Sequence, residues 1–330
     1  MISSYASKMS SQRYERLLIS DSARTTEDPI MRFSFWPRPT HPFATTFNLA
    51  HYVEKTGWDG FWLADHFMPN AEDTSAPWPE AFTTLAAIAA SVPRIRLGSL
   101  VAGNTYRHPA VLAKMAATID HICNGRMVLG LGAGWQENEH LKYGLPFYDV
   151  PERLARLEEA CQVIKQLYEN PASNFPGRFY RLTDAPLEPK PLQTRLPLLI
   201  GGGGEKVTLR ITAQYADEWN VWGTVATLKH KLAILDAHCE RLGRDPSTLK
   251  RTAVALVFLT DDDAFAEKMR GNTQASIAGS VQALQDTLGA YCDLGVDEFI
   301  VPDFNLGNDP IETLDRLINE VFAPFHGTML

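Results

Sequence analysis

The sequence predicts a (βα)8 TIM barrel, an α/β fold in which eight parallel strands alternate with eight helices. From Met31 onward, short apolar runs alternate with segments of helical periodicity along the 330-residue chain. The runs are continuously apolar, as expected for strands buried on both faces of a parallel sheet. A doubly wound sheet usually contains fewer such units, so we predict a closed barrel.

Each predicted strand is a short apolar run, and several of them end in glycine or polar residues. The first is "RFSFWP" and the second is "GFWLADH", at residues 60–66. The others are predicted at residues 94–103, 126–134, 197–202, 218–223, 251–259 and 298–303. Because this fold places chemistry at the carboxyl ends of its strands, the residues that end these runs form the candidate site.

The predicted helices follow the strands and are apolar on one face. In the first helix, Phe47, Ala50 and Val53 fall on the same side. Pro109 and Pro151 stand in the first turns of the third and fourth helices, where no amide hydrogen is needed. We predict helices at residues 43–56, 80–91, 109–122, 151–168, 205–216, 227–242, 280–294 and 310–322.

Two segments interrupt the alternation. Residues 170–197, after the fourth helix, are rich in proline and turn-forming residues, so we predict an insertion there at the barrel rim. Residues 1–30 are polar and lack the apolar region of a signal peptide, so we expect a loosely ordered N-terminal extension. Residues 31–330 would then form a single TIM-barrel domain.

Composition and charge argue against several classes of partner. The net charge is −8 and no basic cluster stands out, so neither nucleic acid nor an anionic membrane surface is expected to bind. No apolar run approaches the length of a transmembrane helix. The four cysteines are scattered without a C-x-x-C spacing, which indicates reduced thiols and a cytoplasmic location.

Asp65 and His66 directly follow the second predicted strand. A carboxylate can orient a neighbouring imidazole, and histidine is the side chain best suited to proton transfer near neutral pH. Alternatively, the aspartate caps a turn and the histidine fills a loop. No strand end pairs histidines or carboxylates at metal-ligand spacing, so we predict no metal site and disfavour a metal-dependent hydrolase.

Four glycines, residues 201–204, separate the fifth strand from the helix predicted to begin at Glu205. A helix amino terminus offers unpaired amide groups and a partial positive charge, which suits a phosphate. Lys206 would add a charge and Thr208 a hydroxyl. The turn is not a P-loop, because Val207 stands where that motif needs Ser or Thr. A purely structural turn is the alternative.

Gly130, Gly132 and Gly134 alternate at the end of the fourth strand. Glycines at alternate positions occupy one face of a strand and let a backbone or a ligand approach closely. A tightly wound barrel corner would use them equally well, so the pattern alone leaves both interpretations open.

Four stretches of the chain carry a family likeness. They are "WDGFWLADHFMPN", "RLGSLVAGNTYRHPAVLAKMAATIDHICNGRMVLGLGAGWQENEH", "RFYRLTDAPLEPKP" and "PLLIGGGGEKVTLRITAQYADEWN". Together they resemble the bacterial luciferase-like flavin monooxygenase superfamily, and more closely its deazaflavin-dependent oxidoreductase branch. The resemblance covers nearly all of residues 31–305 and implies a cofactor that lies across the mouth of the barrel.

The resemblance also implies roles for particular residues. Asp65 would face the ring system of the cofactor, and His66 matches a catalytic histidine of glucose-6-phosphate dehydrogenases in the superfamily. A bulge in strand three would support the ring, with a cis peptide bond between Leu100 and Val101. The phosphate contacts are expected at Gly203, Gly204, Lys206 and Val207. The remaining cofactor contacts are expected at Asn104, Gly132, Asn138 and Glu205.

The function implied is hydride transfer between coenzyme F-420 and a small organic substrate, with His66 giving or taking the accompanying proton. Lys206 and Arg210 favour F-420, because this coenzyme carries an anionic tail beyond its phosphate. One alternative is an FMN-dependent luciferase-like monooxygenase that uses reduced flavin and oxygen. Another is a non-catalytic flavin-binding protein, which would not need Asp65 and His66 at the mouth.

The chain departs from the sugar-phosphate dehydrogenases of the superfamily at two positions. Those enzymes carry Glu directly after the glycine-rich strand end, where this chain has Trp135, and Trp four residues after the histidine, where it has Asn70. A sugar phosphate is therefore not expected as the substrate. The expected partners are a small-molecule substrate, a separate flavin or F-420 reductase, and a second copy of the chain in a homodimer.

Overall fold

The computed structural model describes residues 31–307 and 309–325, so the predicted extension at residues 1–30 lies outside the described residues. Its strands are β1 (Arg32–Trp36), β2 (Gly60–Leu63), β3 (Arg96–Ser99), β4 (Ala102–Gly103), β5 (Met127–Gly132), β6 (Ser173–Pro176), β7 (Arg181–Ala185), β8 (Leu198–Gly201), β9 (Glu218–Trp222), β10 (Lys250–Val254), β11 (Leu256–Leu259), β12 (Ser276–Gly279) and β13 (Glu298–Pro302).

The α-helices lie between the strands as predicted for an α/β barrel. They are α1 (Phe43–Lys55), α2 (Ala81–Ala89), α3 (Pro109–Ile122), α4 (Glu137–Tyr143), α5 (Val150–Glu169), α6 (Thr208–Tyr215), α7 (Val225–Arg241), α8 (Asp263–Arg270), α9 (Val281–Asp293) and α10 (Ile311–Arg316). Pro109 and Pro151 stand in the first turns of α3 and α5, as predicted.

Parallel pairing closes the barrel, which confirms the predicted fold. The barrel has eight strand positions, which we call staves. Around the barrel they are β1, β2, β3 with β4, β5, β8, β9, β10 and β13, and β13 pairs with β1 to close it. The third stave is interrupted: β3 and β4 both pair with β5, and the residues between them include Leu100 and Val101. The peptide bond that joins Leu100 to Val101 is cis, as the family likeness implied.

The prediction of one strand over residues 251–259 is wrong. β10 ends at Val254, and β11 leaves the barrel to pair in parallel with β12, with α8 between them. The short helix α4 was not predicted from the sequence. The helix predicted to begin at Glu205 is α6, which begins at Thr208. The late start of α6 matters for the site, because it leaves residues 202–207 as a loop.

The insertion predicted at residues 170–197 contains an antiparallel hairpin of β6 and β7. The tip of the hairpin is fixed by Glu159 of α5, whose carboxylate accepts hydrogen bonds from the amides of Arg178, Phe179 and Tyr180 at 2.8, 2.9 and 3.1 Å. The Tyr180 hydroxyl accepts a hydrogen bond from the side-chain amide of Asn104 at 3.1 Å. Since Asn104 follows β4, the tip of the hairpin reaches the carboxyl ends of the strands.

A buried ion cluster fills the barrel interior below the site. Arg96 of β3 donates to Glu218 of β9 at 2.6 Å and to Glu298 of β13, and the Trp62 indole donates to Glu298 at 2.8 Å. Although burial lowers it, the two carboxylates together raise the pKa of Arg96. These contacts link β2, β3, β9 and β13, and removing one ionic partner would leave a buried unpaired charge, which is costly.

Val101 explains Gly132, one of the alternating glycines, and also Gly201 of the neighbouring strand. A Cβ at Gly132 would lie 2.8 Å from the Val101 side chain, and one at Gly201 would lie 2.8 and 2.9 Å from its two methyl groups. At Gly130 the obstacle is backbone, because a Cβ there would lie 1.9 Å from the carbonyl oxygen of Ser99. The glycines of two neighbouring strands therefore make room for the side chain that projects from the interrupted stave.

This packing predicts that Val101→Ala suppresses the destabilisation caused by Gly201→Ala. Gly201→Ala should destabilise the fold by about 1–3 kcal/mol, as overpacking usually does. Val101→Ala removes the methyl groups that clash, so the double variant should lose clearly less stability than the sum of the two single variants. The free energy of unfolding, measured by denaturant titration, checks this.

Gly130→Ala serves as the matched control, because Val101→Ala leaves the Ser99 carbonyl in place. Its cost should therefore persist in the Val101→Ala background. Simple additivity of Gly201→Ala and Val101→Ala would contradict the packing account.

Candidate functional site

A cavity of about 880 Å³ opens at the carboxyl ends of the barrel strands. Its size suits a cofactor together with a small substrate. The predicted site residues in its lining are Asp65, His66, Leu100, Val101, Gly132 and Gly203. Asn104, Asn138 and residues 204–207 are not part of that lining, as far as the described chain shows. The structure therefore brings together, around the cavity, the residues predicted to contact the cofactor ring. Most of the residues predicted to contact the phosphate lie outside the cavity lining.

Asp65 is buried, and both of its carboxylate oxygens are occupied. Arg107 donates to them at 2.7 and 3.0 Å, and the Gly103 amide donates at 3.2 Å. Burial raises the pKa of Asp65, while the guanidinium of Arg107 opposes that shift. Arg107 also pairs with Glu80 at 2.5 Å and was not among the predicted site residues. The ion pair fixes Asp65 in the wall of the cavity beside β4.

His66 is held by a carboxylate that sequence reasoning missed. Its Nδ1 lies 2.7 Å from Oε1 of Glu139, a fully buried residue of α4. The other oxygen of Glu139 accepts the Phe67 amide at 2.7 Å, and the Tyr106 hydroxyl also donates to this carboxylate. Burial opposes ionisation of Glu139, but the hydrogen bonds from His66, Phe67 and Tyr106 hold its pKa below the ordinary value.

Two indole rings flank the imidazole of His66. The ring centroid of Trp135 lies 5.4 Å from that of His66, and the ring centroid of Trp78 lies 6.2 Å from it, both in nearly edge-on arrangements. Trp135 is 60% exposed, so it stands at the rim and screens the histidine from one side. In the described residues no hydrogen-bond partner occupies Nε2 of His66, which leaves this nitrogen available to a ligand in the cavity.

The glycine turn exposes a run of backbone amides that are not used within the described part of the protein. Among the described residues, the amides of residues 203–207 donate to no protein acceptor. α6 begins directly afterwards at Thr208, whose side chain lines the cavity. Gly202 has a φ of 130°, and a Cβ on Gly204 would lie 2.7 Å from the Thr208 hydroxyl. A loop of free amides at a helix amino terminus is the arrangement that binds phosphate.

Charged side chains around the turn differ from the prediction. Glu205 is paired with Lys231 at 2.5 Å and His230 at 3.0 Å. Arg210 is held by two hydrogen bonds of 2.7 Å to Glu158, so it is not free to meet an anionic tail. Lys206 is exposed and makes no ion pair within the described chain. Lys206 is therefore the cation of the turn that no described acidic side chain neutralises.

Asn104 and Asn138 support loops of the site. Asn104 donates to Tyr180, and Asn138 donates to the carbonyl of Pro69 at 2.9 Å. Their amide oxygens are buried without a hydrogen-bond partner. These contacts hold the hairpin tip and the segment after β2 in place.

Aromatic side chains form the opposite wall of the cavity. The ring centroid of Trp36 lies 5.7 Å from that of Trp222 and 5.1 Å from that of Phe304. Beside this wall, Asp303 lies 2.6 Å from Nε2 of His41. Burial raises the pKa of Asp303, and the hydrogen bond with His41 opposes that shift. The wall offers an apolar surface of mutually tilted aromatic rings next to one buried polar pair.

The described residues hold neither a metal-ligand cluster nor a helix suited to span a membrane. They contain no group of three or more His, Cys, Asp or Glu side chains placed to hold a metal ion. None of their helices combines the length and the apolar character needed to cross a membrane.

Comparison with known proteins places the chain in a family. The family described as luciferase-like monooxygenase matches residues 27–295. An F420-dependent glucose-6-phosphate dehydrogenase of Amycolatopsis mediterranei (strain U-32) is 36% identical over 166 residues, which are 50% of this chain and 47% of that protein. Pyrimidine monooxygenase RutA of Allorhizobium ampelinum is 33% identical over 223 residues, 63% of this chain and 59% of that protein. The chain thus matches about half the length of the first relative.

Solved structures share the fold. An F420-dependent secondary alcohol dehydrogenase, in complex with an F420–acetone adduct, superposes with a TM-score of 0.76 at 19% identity. The match covers 89% of this chain and 98% of that one. The closed barrel and the family match over residues 27–295 lead to one conclusion. The chain belongs to the luciferase-like monooxygenase family.

Proposed function

We propose that this protein is an oxidoreductase that transfers hydride between coenzyme F-420 and a small organic substrate. The observation that carries the proposal is the loop of free amides at residues 203–207, beside a cavity with an apolar floor and a histidine on its wall. Relatives named F420-dependent glucose-6-phosphate dehydrogenase support the choice of coenzyme.

The site fits a phosphorylated deazaflavin. Residues 203–207 and the Thr208 hydroxyl would hold the phosphate, and Lys206 would face the anionic tail. Leu100 and Val101 provide an apolar surface against which a flat ring can pack. When bound, the coenzyme supplies the carbon that accepts or donates the hydride, and the protein supplies orientation and electrostatics.

Within this proposal the chain contributes proton transfer and the exclusion of water. Nε2 of His66 takes the proton of a substrate hydroxyl on oxidation, or returns it on reduction. Trp78 and Trp135 cover the imidazole on two sides. The wall of Trp36, Trp222 and Phe304 suits a substrate with an apolar or aromatic part, consistent with the absence of the sugar-phosphate residues at positions 70 and 135.

The second candidate is an FMN-dependent monooxygenase. Pyrimidine monooxygenase RutA is also a relative, and both cofactors share a ribityl phosphate that the same turn would bind. The loss of Arg210 as a free cation weakens one argument for F-420 and leaves Lys206 as the charge that favours it. We further propose a cytoplasmic homodimer that a separate flavin or F-420 reductase supplies with reducing equivalents.

Parallel titration separates the two cofactors. We expect F-420 to bind with micromolar or tighter affinity and FMN to bind more weakly, because only F-420 extends beyond the phosphate toward Lys206. Fluorescence titration of the purified protein with each compound gives both dissociation constants. A protein that purifies with stoichiometric FMN and ignores F-420 would contradict the assignment.

Two variants of the turn test the phosphate contacts. Thr208→Val removes one hydroxyl at constant shape and should weaken F-420 binding by about tenfold, the cost of one hydrogen bond to a charged group. Gly203→Val places a branched side chain beside the free amides and should weaken binding further. Gly289→Ala is the control, because a Cβ there meets nothing within 4 Å. Unchanged affinity in a folded Gly203→Val protein would make the turn purely structural.

His66→Ala should lower turnover far more than coenzyme affinity. A positioned acid or base contributes about 10²–10⁴-fold to the rate, whereas the coenzyme contacts lie elsewhere. A screen of alcohols, enones and nitroaromatics with oxidised and reduced coenzyme provides the assay. His51→Ala, on α1 and outside the cavity lining, is the control. A His66→Ala enzyme with wild-type kcat and pH dependence would remove His66 from the mechanism.

A further inference from the structure

Three polar groups lie within hydrogen-bond distance of the carboxylate of Glu139 in a buried position. They are Nδ1 of His66 at 2.7 Å, the amide of Phe67 at 2.7 Å and the hydroxyl of Tyr106. Glu139 is fully buried, whereas its neighbour Glu137 on the same helix is exposed. Three donors on one buried carboxylate are what an ionised group needs to remain charged out of water.

The chemistry of the partners fixes where the hydrogens lie. An ionised carboxylate only accepts hydrogen bonds, so the nitrogen of His66 that faces it carries the hydrogen. In a neutral imidazole the other nitrogen then has the lone pair. That nitrogen is Nε2, which no described residue occupies.

We propose that Glu139 is a positioning residue that holds His66 in the Nδ1–H tautomer and keeps the lone pair of Nε2 available to the cavity. The phenol of Tyr106 completes the arrangement by donating to the same carboxylate oxygen, and burial together with Glu139 raises its pKa, so it stays protonated. The tautomer follows from the contacts alone, whereas its use in proton transfer rests on the function proposed above.

The other polar groups near His66 lie farther from Nδ1 or are engaged elsewhere. The Tyr106 hydroxyl lies 3.3 Å from Nδ1, compared with 2.7 Å for Glu139, and it donates to Glu139. The carboxylate of Asp65 is occupied by Arg107 and Gly103. His140 packs against Tyr106 at 4.9 Å between ring centroids and is itself hydrogen-bonded to the carbonyl of Gln136. Trp135 stands where related sugar-phosphate dehydrogenases carry Glu, and an indole cannot accept a proton. Glu139 is thus the carboxylate that contacts His66 within the described chain.

The tautomer can be read without coenzyme or substrate. Nitrogen-15 NMR of histidine-labelled free protein, above the pH at which imidazoles are charged, distinguishes protonated from unprotonated ring nitrogens. His66 is assigned from the signals that His66→Ala removes. We expect the Nδ1–H form to dominate in the wild type. A dominant Nε2–H form in the wild-type protein would overturn the inference, whatever the variants do.

Three variants sharpen the measurement. Glu139→Gln keeps the shape but removes the charge, so the ratio of Nδ1–H to Nε2–H should fall by about tenfold, the difference between a charged and a neutral hydrogen bond. Tyr106→Phe leaves the His66–Glu139 contact and should preserve the ratio. Glu137→Gln, an exposed change on the same helix, should also preserve it. An unchanged ratio in folded Glu139→Gln would overturn the proposal.

Kinetics then link the tautomer to the reaction. In Glu139→Gln we expect kcat to fall while the dissociation constant of F-420 stays at its wild-type value, because Glu139 acts through His66. If F-420 fails to bind the wild type, the proposed function fails and the tautomer measurement still stands. If F-420 binds and kcat of Glu139→Gln equals that of the wild type, Glu139 has no positioning role.

Discussion

The side chain of Val101 occupies space that the glycines of two neighbouring strands leave open. A Cβ at Gly132 or Gly201 would lie within 2.9 Å of its methyl groups. Because of this fit, the third stave can break between β3 and β4 and still pair with β5 on both sides of the break. The segment that follows carries Gly103, which donates to Asp65. The apolar floor of the cavity and the anchoring of its polar wall therefore both depend on this packing.

Two kinds of contact at the mouth of the barrel have different proposed roles. The turn at residues 203–207 offers mainly backbone amides, which suit the phosphate of a phosphorylated cofactor. The wall with His66 and Glu139 offers a buried, charge-assisted pair that fixes one side-chain nitrogen toward the ligand. Under the proposed function, cofactor binding would rest on the turn before α6, and proton transfer on His66 with its partner Glu139 of α4, so the two could be altered separately.

Hydrophobic periodicity was sufficient to predict the barrel, because each strand is buried on both faces and each helix on one. The excursion of β11, α8 and β12 could not be read in this way, because β10 and β11 form one continuous apolar run that only pairing divides. Asp65 and His66 could be found because they follow a strand directly. Glu139 could not, because its distance of 73 residues from His66 along the chain is closed only by the fold. Arg210 looked free in the sequence and is paired with Glu158.

The central claim is that the free amides of residues 203–207 bind the phosphate of coenzyme F-420. Backbone amide NMR of the protein, recorded without coenzyme and then at saturation, tests this most directly. The account predicts that these amides shift strongly and become protected from hydrogen exchange when F-420 binds. Saturation with F-420 that leaves the signals and exchange rates of residues 203–207 unchanged would contradict it.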